Sequence, residues 1–515
     1  MKKIFSILMT ICLMAGALSI TAFAEEPGFD VVIRVRAQKK NNDIVELENG
    51  DFKSFVDGWE AAVDLATNHS TMDKNNYDYV VVDFYANWKA DEDGEFGDDS
   101  FDGIDNHTIY VPEDTRIVIN LNGHTIDRGL GNNNEYDGEV IYVDENARLI
   151  INGGKSGDPV VKAGTNPGDA KMGTITGGNS DNGAGGIHVM DGAFLSLNNV
   201  HIDGNATDDD CGAGIALYDG ASLVMSGGSI SNNRLIGTTQ GGNATGGALY
   251  LNDSEATLSY VEIKNNLAFK DYGEGLAVYA DDSTVYLNDC IIDGNGIETG
   301  ADRNHAGLSI VHIDDSTVVA TRTKFTNNGA YVDPAKYYGG YGAVIRGEDR
   351  SDITLTECTF TNNSTNHVLD MHEGSTKSTL TATECDIVDN SSAVFDGYGI
   401  LTFESCNFGG NKCTQSKRET FYPSGAADIT FSNCLMGDST YHNLDTMEFI
   451  NSQNAPKHIA GVRRFGSIFG EGSLTMIVAL LALIASGVAI FLTVYYNKQK
   501  AAPVAVDAKE AEDEE

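Results

Sequence analysis

Three tyrosines occupy one place in a recurring phrase. Gly214 opens GIALYDG, Gly247 opens GALYLND and Gly275 opens GLAVYADD, and these carry Tyr218, Tyr250 and Tyr279. Read with strand parity, Ile215 and Leu217 face inward while Ala216 and Tyr218 face outward. The outward column then runs Met190, Tyr218, Tyr250, Tyr279, Val311, Arg346, beside a second column of His188, Ala216, Ala248, Ala277, Ser309, Val344. Small residues next to a tyrosine row leave a flat aromatic stripe. A sugar ring can stack on such a face while the phenol hydroxyl stays wet. Simple side-chain stacking along an exterior accounts for the same column. A second group, Tyr337, Tyr338 and Tyr341 in YVDPAKYYGGY, falls in a long loop, the kind of segment where binding residues concentrate. These six tyrosines are the expected carbohydrate-binding residues.

Neither column read this way holds a carboxylate. A glycosidase of the usual kind needs two, about 5 to 10 Å apart. A calcium-dependent lyase needs clustered acids and a basic proton acceptor. Asp208, Asp209 and Asp210, with Arg234, Arg303 and Arg346, supply those residue types without a shown convergence. Asp98, Ser100, Asp102 and Gly103 match the opening of a calcium-binding loop, but Ile109 stands where its last acidic ligand belongs. Asp98, Ser100, Asp102, Asp208, Asp209 and Asp210 are therefore candidate calcium ligands, and solvated acidic loops explain both groups as well. No HExxH or Walker loop is present and no Ser/His/Asp constellation can be argued without a fold and a pocket, so no catalytic residue is assigned and calcium is the one cofactor considered.

The elements that must carry these residues are repeats. Segments such as SLNNVHIDGN and VYLNDCIIDGN end on Asn205, Asn233, Asn266, Asn295, Asn328, Asn363, Asn390 and Asn411, spaced 21 to 35 residues apart. Three residues before each Asn stands Ile or Phe. Upstream, apolar residues alternate, and the parity slips once, at Asn198-Asn199 or Asn288-Asp289. Such a slip marks a sharp bend between two strands, because Asn and Asp tolerate left-handed backbone. Each unit reads strand, turn, strand, bend, strand, then a variable loop. A varying period of this length predicts stacked coils, since one coil cannot bury its apolar face alone. The fold expected is an all-β, right-handed parallel β-helix, with the Asn residues stacked as a ladder. Cys290, Cys358, Cys385, Cys406 and Cys434 share another column and read as small buried thiols rather than disulfides. The amphipathic stretch Phe52 to Asn68 is the candidate helix covering the open first coil.

INLNGHTI at Ile119, the Gly-opened strands and the Asn-ended coils resemble the pectin lyase-like superfamily, in particular bacterial cell-surface members. The resemblance covers about residues 113 to 440. It implies a right-handed β-helix, and it spans lyases, hydrolases and non-enzymatic adhesins, so it does not choose an activity.

The ends carry their own signals. Lys2 and Lys3, the apolar run to Ile20 and small residues Ala22 and Ala24 make residues 1–24 a signal peptide. Residues 25–112 form an N-terminal cap region, 113–452 the β-helix and 453–473 a connector. Residues 474–496 contain no charge and are long enough to cross a bilayer, with Lys498 and Lys500 behind them in a short acidic tail, 497–515. The expectation is a single-pass bacterial membrane protein with its large N-terminal part outside. A net charge of −41 excludes a nucleic-acid partner. The leading expectation for function is a non-enzymatic adhesin or carbohydrate-binding surface protein whose partner is a polysaccharide or another cell. A polysaccharide lyase or glycoside hydrolase on the same scaffold is the alternative, and an envelope spacer the second alternative.

Overall fold

The computed structural model describes residues 31–67, 77–90, 107–130, 138–155, 157–166, 171–181, 183–208, 211–236, 245–269, 272–297, 307–329, 342–372, 378–412, 419–424 and 426–456. Over these residues the chain is a parallel β-solenoid with three sheets, of 23, 12 and five strands. The first sheet is the largest because each coil gives it two strands. One coil contributes Leu249–Asn252 to the second sheet, Glu255–Ser259 and Glu262–Lys264 to the first, and Leu267–Ala268 to the third. Each pairs in parallel with its counterpart in the next coil: Val278–Asp281, Thr284–Asn288, Ile291–Asp293 and Gly296–Ile297. The fourth short strand, after the ladder Asn, lies in what the sequence reads as variable loop.

Three corners turn each coil, and all three use left-handed backbone. In this coil they are Asp253 (φ 46°), Tyr260 (φ 59°) and Asn265 (φ 55°). The parity slips sit on such corners, at Asn199 (φ 52°) and Asp289 (φ 54°). The residue before each ladder Asn is also left-handed: Gly204, Asn232, Asn265, Gly294, Asn327, Asn362, Asp389 and Gly410. Only Gly, Asn and Asp reach that region cheaply, which is why the refrain ends in GN, NN or DN.

The buried ladder then satisfies the corner. Asn266 Oδ1 accepts the backbone N–H of Asn233 at 3.1 Å and its Nδ2 at 3.0 Å. Asn266 Nδ2 donates to Asn295 Oδ1 at 2.9 Å and to the Ile230 carbonyl at 3.0 Å. The same pattern links Asn205 through Asn411. The carbonyl served is always that of the refrain Ile or Phe, from Ile175 to Ile387. Those same side chains stack inside, with Phe325 on Phe360 at 4.4 Å between ring centroids.

The thiol column is buried and the cysteines in it are free. Each Sγ donates to the carbonyl two residues upstream, as Cys358 does to Thr356 and Cys406 to Glu404, both at 3.4 Å. Thr323 and Ser452 stand in the same column and donate their hydroxyls in the same way. The column therefore selects a small side chain with one donor. Burial pushes the Cys290 thiol up to about 12.

At the N-terminal end, the helix runs over Phe55–Thr67 and buries Phe55, Trp59 and Ala62 in the core. Phe55 packs 4.5 Å from Trp88, and Trp59 Nε1 donates to the Tyr110 carbonyl at 3.3 Å. The helix does not work alone. Ile33–Lys39 pairs antiparallel with Ile44–Phe52 and with Tyr77–Phe84, and the last of these continues in parallel to Arg116–Asn120. The expected signal peptide, the expected span at 474–496 and the tail lie outside the described residues, and among the described residues no helix is long and apolar enough to cross a membrane.

Candidate functional site on the outward face of the second sheet

The second sheet runs from Ile109–Val111 to Phe421–Pro423 with unbroken register through eleven strands. Its outward column is Tyr110, Tyr142, His188, Ala216, Tyr250, Tyr279, His312, Arg346, Asp370, Asp396, Tyr422. This corrects the column read from sequence. Val311 faces the core with no exposed surface. Tyr218 is two positions beyond Ala216, the residue that pairs with Tyr250. Parity within one coil does not fix the register between coils: Ala216 stands two residues after Gly214, Tyr250 three after Gly247 and Tyr279 four after Gly275. From Ala216 onward the left-handed corner Asp keeps a fixed distance from the column, whereas on the earlier coils Asp114 and Asn146 stand four residues after Tyr110 and Tyr142. Asp219, Asp253, Asp282, Asp315 and Asp349 all stand three residues after the column position.

Tyr218 nevertheless joins the row. Its ring fills the space above Ala216, 5.0 Å from His188 and 5.5 Å from Tyr250. The stack continues from Tyr110 through Tyr142 to His188, and from Tyr250 through Tyr279 to His312, with centroids 5.0 to 5.9 Å apart. The three expected tyrosines are thus brought together: Tyr250 and Tyr279 stack with 11° between their planes, and Tyr218 is tilted 47° to Tyr250. Burial raises the phenols, Tyr142 to about 12, so they stay protonated donors.

The row ends in charge. His312 is 2 % exposed, with Nδ1 3.1 Å from Ser309 Oγ and 3.8 Å from Glu274, and Nε2 3.9 Å from Glu348. Burial, helped by Arg346 and His372, pushes it down to about 3, so it is neutral. Arg346, 6 % exposed, is ion-paired with Glu348. On the next coil Asp370 is 3 % exposed, and its Oδ2 has no hydrogen-bond partner. Burial raises its pKa and Asp396 adds to this, while His367 and Arg346 oppose it. His367 Nε2 lies 3.1 Å from Asp396 Oδ2 on the following coil. Two residues along the strands, Asn252, Asp281, Asp314 and Glu348 form a parallel outward column. Burial, then Asp349, Glu348 and Asp281, pushes Asp314 up to about 6.

The sequence reading missed this group because its column stopped at Arg346, one coil short of Asp370, and did not follow the positions two residues further along the strands. The remaining expected residues do not reach it among the described residues. Asp208 follows the third-sheet strand Ala206–Thr207. Tyr337, Tyr338, Tyr341, Asp98, Ser100, Asp102, Asp209 and Asp210 lie outside the described residues. No group of three or more His, Cys, Asp or Glu among the described residues is arranged to hold a metal ion. Comparison of the chain with family models, curated proteins and solved structures finds no match.

Proposed function

We propose that this chain is a right-handed parallel β-helix of the pectin lyase-like kind, held outside a bacterial membrane by its C-terminal apolar span, and that the outward face of its second sheet binds and cleaves carbohydrate chains. The observation that carries this reading is the placement of Asp370 and Asp396 on successive coils of one outward column. Neighbouring strands lie about 4.8 Å apart, close to the roughly 5 to 5.5 Å between the two carboxyls of a retaining glycosidase.

The environments of the two acids separate their roles. Asp370, buried with one oxygen unpartnered and its pKa raised by burial, is the acid that delivers a proton to the glycosidic oxygen as the C–O bond breaks. Asp396, against His367, attacks the anomeric carbon and forms a glycosyl ester. Water then attacks that carbon, giving a proton back to Asp370 and releasing Asp396. Arg346 and His367 hold the two acids in place, and the tyrosine hydroxyls line the approach.

A second reading is binding without cleavage, as an adhesin. It draws on the length of the aromatic row, which extends from Tyr110 to His312 while the Asp370–Asp396 pair occupies only its far end. Both readings are tested by incubating the purified chain with neutral, acidic and amino polysaccharides and counting new reducing ends. Asp370→Asn and Asp396→Asn are expected to abolish release with circular dichroism unchanged. If no polysaccharide is shortened but one is retained by the protein, hydrolysis is refuted and the adhesin reading stands.

A further inference from the structure

The first sheet carries a recess of its own on its outward face. The outward column there reads Arg148, Phe194, Ser222, Glu255 and Thr284 on five successive coils. Ser222 is a short side chain between a ring and a carboxylate. The turns beside it bring Gly192 and Gly220, which have no side chains to fill the space. The result is a cavity of about 450 Å³ with Ser222 and Val224 in its floor. That volume lies within the range of small-molecule sites. None of these residues takes part in the carbohydrate site proposed on the second sheet.

The two ends of the recess carry opposite charge. Arg148 lies over the Phe194 ring, its guanidinium carbon 5.4 Å from the centroid. Stacking occupies the face of a guanidinium and leaves its in-plane N–H donors open to a bidentate anion. Among the described residues those donors have no hydrogen bond or ion pair. They stay open in a chain with 75 acidic and 34 basic residues, whereas Arg116, one coil before in the same column, is taken by Asp78. At the other end stand Asp253 and Glu255. Asp253 makes no ion pair among the described residues. A polyanion would be repelled by these acids and a polyamine by Arg148, and an uncharged sugar would leave the Arg148 donors unanswered. A ligand with one charge of each sign meets a partner at both ends.

We infer that this recess binds a short zwitterionic peptide, laid along the solenoid axis with its carboxylate on Arg148 and its amino terminus on Asp253 and Glu255. The spacing selects the length. Arg148 and Glu255 stand three strand steps apart, a span of about 14 Å. The end charges of an extended tripeptide lie about 10 Å apart. A charge-assisted hydrogen bond of about 2.8 Å at each end brings the total close to that span. The middle side chain then falls over Ser222, with the Phe194 ring and Val224 as its apolar contacts.

The test is calorimetric titration of the purified chain with Ala-Leu-Ala bearing free ends, with its C-terminal amide and with its N-acetyl form. Blocking either end is expected to weaken binding at least tenfold. Arg148→Gln should lose the preference for the free carboxylate and keep that for the free amine, and Asp253→Asn/Glu255→Gln should do the reverse. Ser222→Phe, which fills the floor of the recess, should abolish binding, with the circular dichroism of every variant unchanged. No binding of the free tripeptide, equal binding of all three forms, or a carboxylate preference that survives Arg148→Gln overturns the inference. None of these results bears on the second-sheet site, which the reducing-end assay tests separately.

Discussion

Replacing Asn295 by alanine should be among the most damaging single changes to this fold. Asn295 has no exposed surface. Its Oδ1 accepts the Asn266 backbone N–H at 3.0 Å and Asn266 Nδ2 at 2.9 Å. Its Nδ2 donates to the Ile263 carbonyl at 3.0 Å and to Asn328 Oδ1 at 3.1 Å. Truncation removes all of these and leaves the Asn266 N–H buried without an acceptor. An orphaned buried donor costs about 1 to 3 kcal/mol, and each further lost bond about 1 kcal/mol net. The expected loss is about 4 to 6 kcal/mol, less what local relaxation recovers. Asn288 is the control: it is half-buried at the end of the Thr284–Asn288 strand, and Asn288→Ala should stay within about 0.5 kcal/mol. Urea unfolding of the purified chain, followed by far-ultraviolet circular dichroism, compares the two. If Asn295→Ala unfolds within about 1 kcal/mol of Asn288→Ala, the ladder is not what holds the corners, and the reasoning from it fails.

Other outcomes follow from the same contacts. Asp314 has a folded-state pKa raised to about 6, so the folded chain holds this proton more tightly than the unfolded chain does. Ionising it removes stability as pH rises between about 4 and 6. Asp314→Asn should therefore melt above the wild type at pH 7, with no difference near pH 4; a lower melting temperature at pH 7 would contradict the crowding. Cys385 is buried in the donor column, so Cys385→Ser should cost little while Cys385→Val, which removes the hydrogen bond to the Thr383 carbonyl, costs about 1 kcal/mol more. Peptide mapping after alkylation should find Cys290, Cys358, Cys385, Cys406 and Cys434 modified only once the protein is denatured.

The N-terminal end illustrates how a locally read element acquires a different role. The helix was legible from the spacing of Phe55, Trp59 and Ala62, and it forms where that spacing placed it. Its partners were not legible. The Ile33–Lys39 strand meets Tyr77–Phe84 across a long stretch of sequence, and nothing within either segment specifies the other. Arg36, 4 % exposed, is ion-paired with Asp83 on that partner strand, which ties the antiparallel unit together where the solenoid begins.

The sequence by itself determined the solenoid, its bends, the Asn ladder and the buried thiols. Each of these depends on a residue and its image one coil away, so the physics repeats at every period and leaves the same mark each time. Tertiary structure decided the site. Which side chains share an outward column depends on registering one coil against the next, and only the pairing of the strands fixes that register. Asp370 and Asp396 lie in coils whose segments, HVLDM and AVFDG, share little with the tyrosine-bearing phrases. Only the pairing of those strands brings both acids, with His367 and Arg346, into line with the tyrosine row.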